Sequence, residues 1–228
     1  MFQNLIDIIT APSAVFARLK AKPSVWFPLL LVLLATCSVQ VGYILLTDKG
    51  FLVDQQINQV RTMFSQLSSA QIAQMREQLM NQGATSSIIS SAVSVFVIYS
   101  LIMAIYALYL RFVAKFSFNE MGWKSWFSLV CWTSVPTIFG AIASWVVLLT
   151  NSNGQVPMLE LNPLSFSNLL GLSIAGGPLS VLTPLYIWSF VLLALGYQRW
   201  TGKGLLTSTL LSLGPYLLIF GLWGYFSI

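Results

Sequence analysis

The side chains in this sequence that could do chemistry are few, and most of the usual ones are missing. There is no histidine, which removes the commonest general base, the usual zinc ligand and the ordinary Ser/His and Cys/His nucleophile pairs. Cys37 and Cys131 stand far apart in apolar runs with no C-x-x-C spacing, so they read as small packing residues. No Asp, Glu, Lys or Arg lies near the centre of any long apolar run. That removes a carboxylate pair for acid–base work. It also argues against proton-coupled transport while leaving a passive pore open. No nucleophile has an evident base, so an enzyme is not expected, and neither is a metal or a cofactor.

What remains inside the apolar runs is weaker. Gln40 is the most polar side chain there, expected either to bond across to another helix or to line a polar path. Thr133, Ser134, Ser208 and Ser212 are further candidates for polar contacts. Small residues recur at four-residue spacing in Ser38/Gly42, Ser87/Ser91, Ser90/Ser94, Gly140/Ser144 and Gly204/Ser208/Ser212. Such faces let helix backbones approach closely, within one bundle or between copies. Pro136 and Pro215 fall near the middle of two runs, where each removes a backbone hydrogen bond and should kink its helix. The freed carbonyls either build a substrate site, as in transporters with broken helices, or are satisfied by neighbours such as Thr133 and Ser134.

The elements that must position these groups follow from composition. The 228 residues are 57% hydrophobic and only 7% charged, against about a quarter charged in soluble domains. So little charge cannot cover a water-facing surface, and the solvent for most of the chain is lipid. A spanning helix needs about 20 mainly apolar residues. Five candidates result, at about 26–46, 87–110, 126–149, 178–198 and 205–226. The first is too long, and lacks an A-x-A site after it, to be a cleaved signal peptide, and is expected to stay as an anchor.

The net charge of +5 comes from scattered basic residues flanking the apolar runs, which argues for membrane orientation rather than nucleic acid. With the N-terminus in the cytoplasm, the inside segments hold eight basic anchors: Arg18, Lys20, Lys22, Arg111, Lys115, Lys124, Arg199 and Lys203. The outside holds three, Lys49, Arg61 and Arg76. The imbalance predicts N-in and C-out. Trp26, Trp123, Trp126, Trp200 and Trp223 near the span ends agree, since indoles favour the interface. The expectation is an all-α, polytopic, five-helix membrane bundle forming one domain over 1–228.

Three polar segments carry their own patterns. In residues 10–22, Thr10 is a candidate N-cap with Pro12 in the first turn, and Val15, Phe16 and Leu19 share a face. This fits a short helix lying on the cytoplasmic leaflet, or a plain basic flank. In 54–83, Ile57, Val60, Phe64 and Leu67 form one apolar stripe, and Ile72, Met75 and Leu79 form another. Ser68-Ser69-Ala70-Gln71 between them has the form of a capping box, and Gly83 suits the end of the second helix. Amphipathic helices at about 54–67 and 69–82 are expected to make an extracytoplasmic hairpin, either binding a partner or lipid or packing on the bundle or bilayer. Finally, "PLSFSNLLGLSIA" from Pro163 to Ala175 is too short to span and should lie in the interface or re-enter partway.

Four local patterns, in order, resemble the Yip family of membrane proteins (Ypt/Rab-interacting proteins), in its bacterial branch. They are "APSAVFARLKAKPSVWFPLLL", "FSLVCWTSVPTIFGAI" leading to Pro136, "PLYIWSFVLLALGYQRW" and "GKGLLTSTLLSLGPYLL". The resemblance covers nearly the whole chain. It implies a multi-pass protein of a bacterial plasma (inner) membrane without enzymatic chemistry. Eukaryotic members are linked to vesicle traffic and small GTPases, but the long N-terminal region and Asp-Leu-Tyr-Gly-Pro motif are not found here, so GTPase binding is not carried over. The expected role is a membrane-organising scaffold that binds lipids or other membrane proteins, or self-associates. The alternative is a small-solute or lipid permease, or a subunit of one, using the proline kinks.

Overall fold

The computed structural model describes residues 2–64, 66–151, 153–172 and 177–226. Among them there are helices and loops but no strand. Helices α1 (Phe2–Thr10) and α2 (Pro12–Ala21) precede α3 (Trp26–Leu46). The hairpin α4 (Lys49–Met63) and α5 (Ser69–Asn81) follows. Next come α6 (Ala84–Ser94) and α7 (Ser100–Lys115), joined by a π turn at Val95–Tyr99. Helices α8 (Trp123–Thr133) and α9 (Ile138–Thr150) are joined by a 3-10 turn at Val135–Thr137. The single-turn α10 (Phe166–Leu169) leads to α11 (Pro184–Thr201) and α12 (Leu205–Phe226).

Among the described residues four segments are long and apolar enough to cross a membrane: Trp26–Leu46, Ala84–Lys115, Trp123–Thr150 and Leu205–Phe226. The run expected at 178–198 differs. Its first residues form a 3-10 turn at Pro178–Ser180, and the α-helix starts only at Pro184, where Thr183 caps Tyr186 N at 3.1 Å. A proline at the first helical position sets that start, because its missing N–H costs nothing there. The resulting α11 has 18 residues, ends in the polar Gln198 and Arg199, and falls outside the four.

The main core gathers Trp126, Trp132, Leu129 and Leu110 with Leu192 and Tyr197 of α11. Two glycines let this packing close. A Cβ on Gly196 would lie 2.5 Å from Leu129 Cδ1, and one on Gly42 would lie 2.5–3.0 Å from three atoms of the Trp145 ring. Trp145 also donates to Ser38 Oγ at 3.1 Å. The Ser38/Gly42 face of α3 is therefore the seat of one tryptophan from α9.

Helix α2 corrects one expectation. Its N-cap is Ala11, while Thr10 donates back to Ile6 O. Val15, Phe16 and Leu19 are at most 1% exposed and join the main core, instead of facing a bilayer. The Phe16 carbonyl accepts from Trp200 Nε1 at 3.0 Å. Each such side chain contributes about 1.5–3 kcal/mol over leaving it in water, enough to dock a ten-residue helix on α8 and α11.

The hairpin forms with shifted bounds. Asp48 accepts from Phe51 N at 2.9 Å and caps α4, which starts at Lys49, five residues before the expected 54. Ser68 and Gln71 do form the capping box that starts α5. Gly83 belongs to the next helix as the N-cap of α6, and Gln82 closes α5. Val53, Ile57 and Ile72 bury one another, backed by Leu67, Met75 and Leu79, so the stripes of the two helices pack together. Phe64, assigned to the first stripe, lies beyond the helix end and is exposed. Of the helix expected from Pro163, only the single turn α10 forms, and the end of that segment, 173–175, lies outside the described residues.

Candidate functional site

Two segments lose α-helical regularity, and residues from both, together with the stretch of the continuous helix α12 around Pro215, line one cavity. The π turn contributes Tyr99, the break at Pro136 contributes Ser134 and Thr137, and α12 contributes Tyr216 next to Pro215. Helix α3 adds Val32, Val39 and Gln40, and α11 adds Leu185 and Tyr186. The cavity measures about 400 Å³, and no Asp, Glu, Lys or Arg is among the described residues that line it. Wide turns of the π type recur at functional sites because they interrupt the regular ladder.

Its hydroxyls divide into two kinds. Ser134 donates to Val130 O at 2.9 Å, Thr137 to Ser134 O at 2.7 Å and Ser144 to Gly140 O at 3.0 Å, so each is spent on its own helix. Gln40, Tyr99, Tyr186 and Tyr216 make no side-chain hydrogen bond among the described residues. The interhelical bond expected of Gln40 is thus not made. Its amide instead lines this cavity and a second one of about 440 Å³, which lies between α3, α6 and the hairpin. The second cavity is walled by Ser87, Ser90, Ser91 and Ser94, the serines that spacing alone had marked as a packing face.

The other sequence candidates lie apart. Thr133 is buried and donates to Leu129 O and Val130 O, satisfying the turn before Pro136. Ser208 and Ser212 are fully buried, and their hydroxyls have no partner among the described residues. At Pro215 the carbonyl that loses its helical donor is that of Leu211, four residues back. Tyr109 donates to it at 2.8 Å, and Tyr106 donates to Ser212 O. The carbonyl that Pro215 leaves without its helical donor is therefore satisfied from α7, and Leu211 offers no free carbonyl. Sequence reasoning missed this bracing pair, whose signal was two tyrosines three residues apart, on one helix face. It also missed Tyr99, Tyr186 and Tyr216.

The basic anchors collect around the end of the bundle that holds α1 and α2. Arg18 pairs with Asp7 at 2.5 Å. Lys20, Lys22, Arg111, Lys115, Lys124, Arg199 and Lys203 are exposed and have no carboxylate within 4.0 Å among the described residues.

With this arrangement of broken helices in view, the sequence model of the Yip1 domain matches residues 6–226. The chain belongs to the Yip1 domain family. Among curated proteins, this Yip1 domain is 28% identical over 204 residues to the membrane protein YknW of Bacillus subtilis (strain 168), covering 87% of this chain and 79% of the relative. No solved structure matches it. Family and relative agree with the resemblance read from "FSLVCWTSVPTIFGAI" and its companions. They establish an integral membrane protein, with Pro136 and Pro215 both inside the matched range.

Proposed function

We propose that this Yip1 domain is a non-enzymatic, five-span protein of a bacterial plasma membrane that holds a lipid between its helices and acts as a lipid- or partner-binding scaffold. The observation that carries this is the cavity where the π turn, the break at Pro136 and the Pro215 stretch of α12 meet, with no Asp, Glu, Lys or Arg among the described residues that line it. Its volume, about 400 Å³, lies in the range of ligand pockets, roughly 300–1,000 Å³. An apolar space left empty forfeits the dispersion contacts of its lining, so in a bilayer an acyl chain fills it. Ser134 to Ser144 along its wall span about 15 Å at the helical rise, which suits a chain lying along the helices. That no Asp, Glu, Lys or Arg stands among the described residues of the lining supports binding over proton-driven transport or catalysis.

Orientation rests on the basic anchors and on which residues share an end. Phe16, Asn119 and Trp200 are hydrogen-bonded at one end. Asp48, Gln55, Gly154 and Val156 are hydrogen-bonded at the other. This supports N-in with the hairpin outside.

Gly140→Leu tests the reading, because a Cβ there already reaches within 3.6 Å of Leu185 Cδ1 and a larger side chain grows into the cavity. Native mass spectrometry of protein taken from its own membrane in mild detergent should show retained lipid, and the variant should lose it. Equal retention by a folded variant rejects the proposal.

The permease reading keeps one supporting observation, that Gln40 lines both cavities. Solute flux in reconstituted vesicles that disappears when Pro136 and Pro215 are replaced would establish it over the scaffold.

A further inference from the structure

The geometry points to the second cavity as a binding chamber for the phosphate-bearing headgroup of a phospholipid, with Lys49 as its cationic contact. This rests on the reading of the first cavity as a lipid site and names the lipid class. Both spaces are lined mainly by apolar surface, the second holds a charged residue where the first has none among the described residues, and the amide of Gln40 lines both. Beside the apolar cavity, the chamber of about 440 Å³ presents Lys49, Gln56, Gln82 and the hydroxyl-bearing face of α6.

Lys49 is the one charged residue among the described residues that line it. Its ammonium donates to Met80 O at 2.5 Å and to Gln82 O at 2.8 Å. A lysine has three N–H donors, so one remains. Those two carbonyls also fix the ammonium at the chamber wall. No carboxylate lies within 4.0 Å of it among the described residues, since Asp54 pairs with Arg76 and Asp7 with Arg18. Ser87 and Ser90 spend their protons on Gly83 O and Ser87 O. Ser91 and Ser94 donate to no group among the described residues. A fixed cation, free hydroxyls and glutamine amides are donors facing a space with no anion of the protein's own. Phosphate oxygens complete such a set, because charge-assisted bonds to them are short and strong. Inorganic phosphate offers the same oxygens, but the apolar cavity across Gln40 matches only a ligand that also carries a chain.

The test uses the full chain in neutral detergent and native mass spectrometry. The probes are dihexanoyl phosphatidylglycerol, dihexanoylglycerol with the same chains and no phosphate, and glycerol 3-phosphate alone. The wild type should prefer the phospholipid over the diacylglycerol by about tenfold, equivalent to one strong contact. Lys49→Gln should bring the two to parity and Lys49→Arg should keep the preference. Ser91→Leu narrows the chamber without touching the Lys49 carbonyl contacts, and should also reduce the preference. A preference that survives both Lys49→Gln and Ser91→Leu overturns the headgroup assignment while leaving the lipid reading standing. Binding of neither lipid overturns both. Glycerol 3-phosphate bound as tightly as the phospholipid overturns the lipid in favour of a free phosphoryl compound.

Discussion

Pro215 removes the donor to the Leu211 carbonyl, and in lipid an orphaned carbonyl has no water to turn to. The Tyr109 hydroxyl at 2.8 Å supplies the missing donor. Interhelical hydrogen bonds in membranes are worth about 0.6 kcal/mol on average and up to about 1.7. Tyr109→Phe should therefore destabilise the protein by about 0.5–1.5 kcal/mol, read by reversible unfolding in mixed micelles. Pro215→Ala restores the backbone N–H, so the same tyrosine substitution should then cost clearly less, and equal costs in both backgrounds would refute the brace. Gly42 makes a second residue-scale case. A Cβ there meets the Trp145 ring at three atoms within 3.0 Å. Gly42→Ala should cost about 1–3 kcal/mol, the usual range for overpacking, and Trp145→Leu should recover part of it. The Ser38/Gly42 spacing was legible in the sequence as a close-packing face. Its occupant was not, because i, i+4 spacing marks a groove on one helix and says nothing of which helix fills it.

At the scale of elements, the hairpin shows what a local signal can and cannot carry. The capping box at Ser68 and Gln71 depends on four consecutive residues and formed as written. The start of α4 depends on Asp48, which lies outside the 54–83 segment whose pattern was read. Likewise, the face of α2 carries the same apolar triplet whether it meets lipid or Trp200, so its docking was invisible until α11 was in place. The π turn at "VFVIY" has no proline or glycine to announce it. The energetics of the hairpin separate cleanly. Its small core makes Ile72→Ala the damaging change, about 2 kcal/mol at the low end for truncating a buried aliphatic. Ser68→Ala should cost about 1 kcal/mol through the lost cap. Arg76→Ala breaks an ion pair whose partners are half exposed, worth at most about 1 kcal/mol. Amide exchange across α4 and α5 should rank the three in that order, and a larger effect from Arg76→Ala than from Ile72→Ala would mean that charge, not the shared core, holds the hairpin.

For the molecule as a whole, the deciding element is α11, which at 18 residues is shorter than the four clear spans. Its start lies with the hairpin end, because Leu182 O accepts from Phe166 N and Ser180 O from Asn162, while the preceding loop holds Gln55 through Val156. Its finish lies with the opposite end, because Trp200 donates to Phe16 O and accepts from Asn119. Eighteen residues reach about 27 Å at 1.5 Å per residue, close to a hydrocarbon core of about 30 Å. The helix therefore has the length and the attachments expected of a span, and on the proposed five-span reading its last turn would bring Arg199 to the headgroups. Gln59 and Lys203, both exposed, turn this into a measurement. Three crossings between them place them on opposite faces, whereas two crossings, with α11 lying flat, place them together. In a chain with Cys37 and Cys131 replaced by alanine, Gln59→Cys should react with a membrane-impermeant maleimide in spheroplasts. Lys203→Cys should react only after permeabilisation. Reaction of both in intact spheroplasts would reduce the count to four spans, and the reverse pattern would invert the orientation that the eight basic anchors imply.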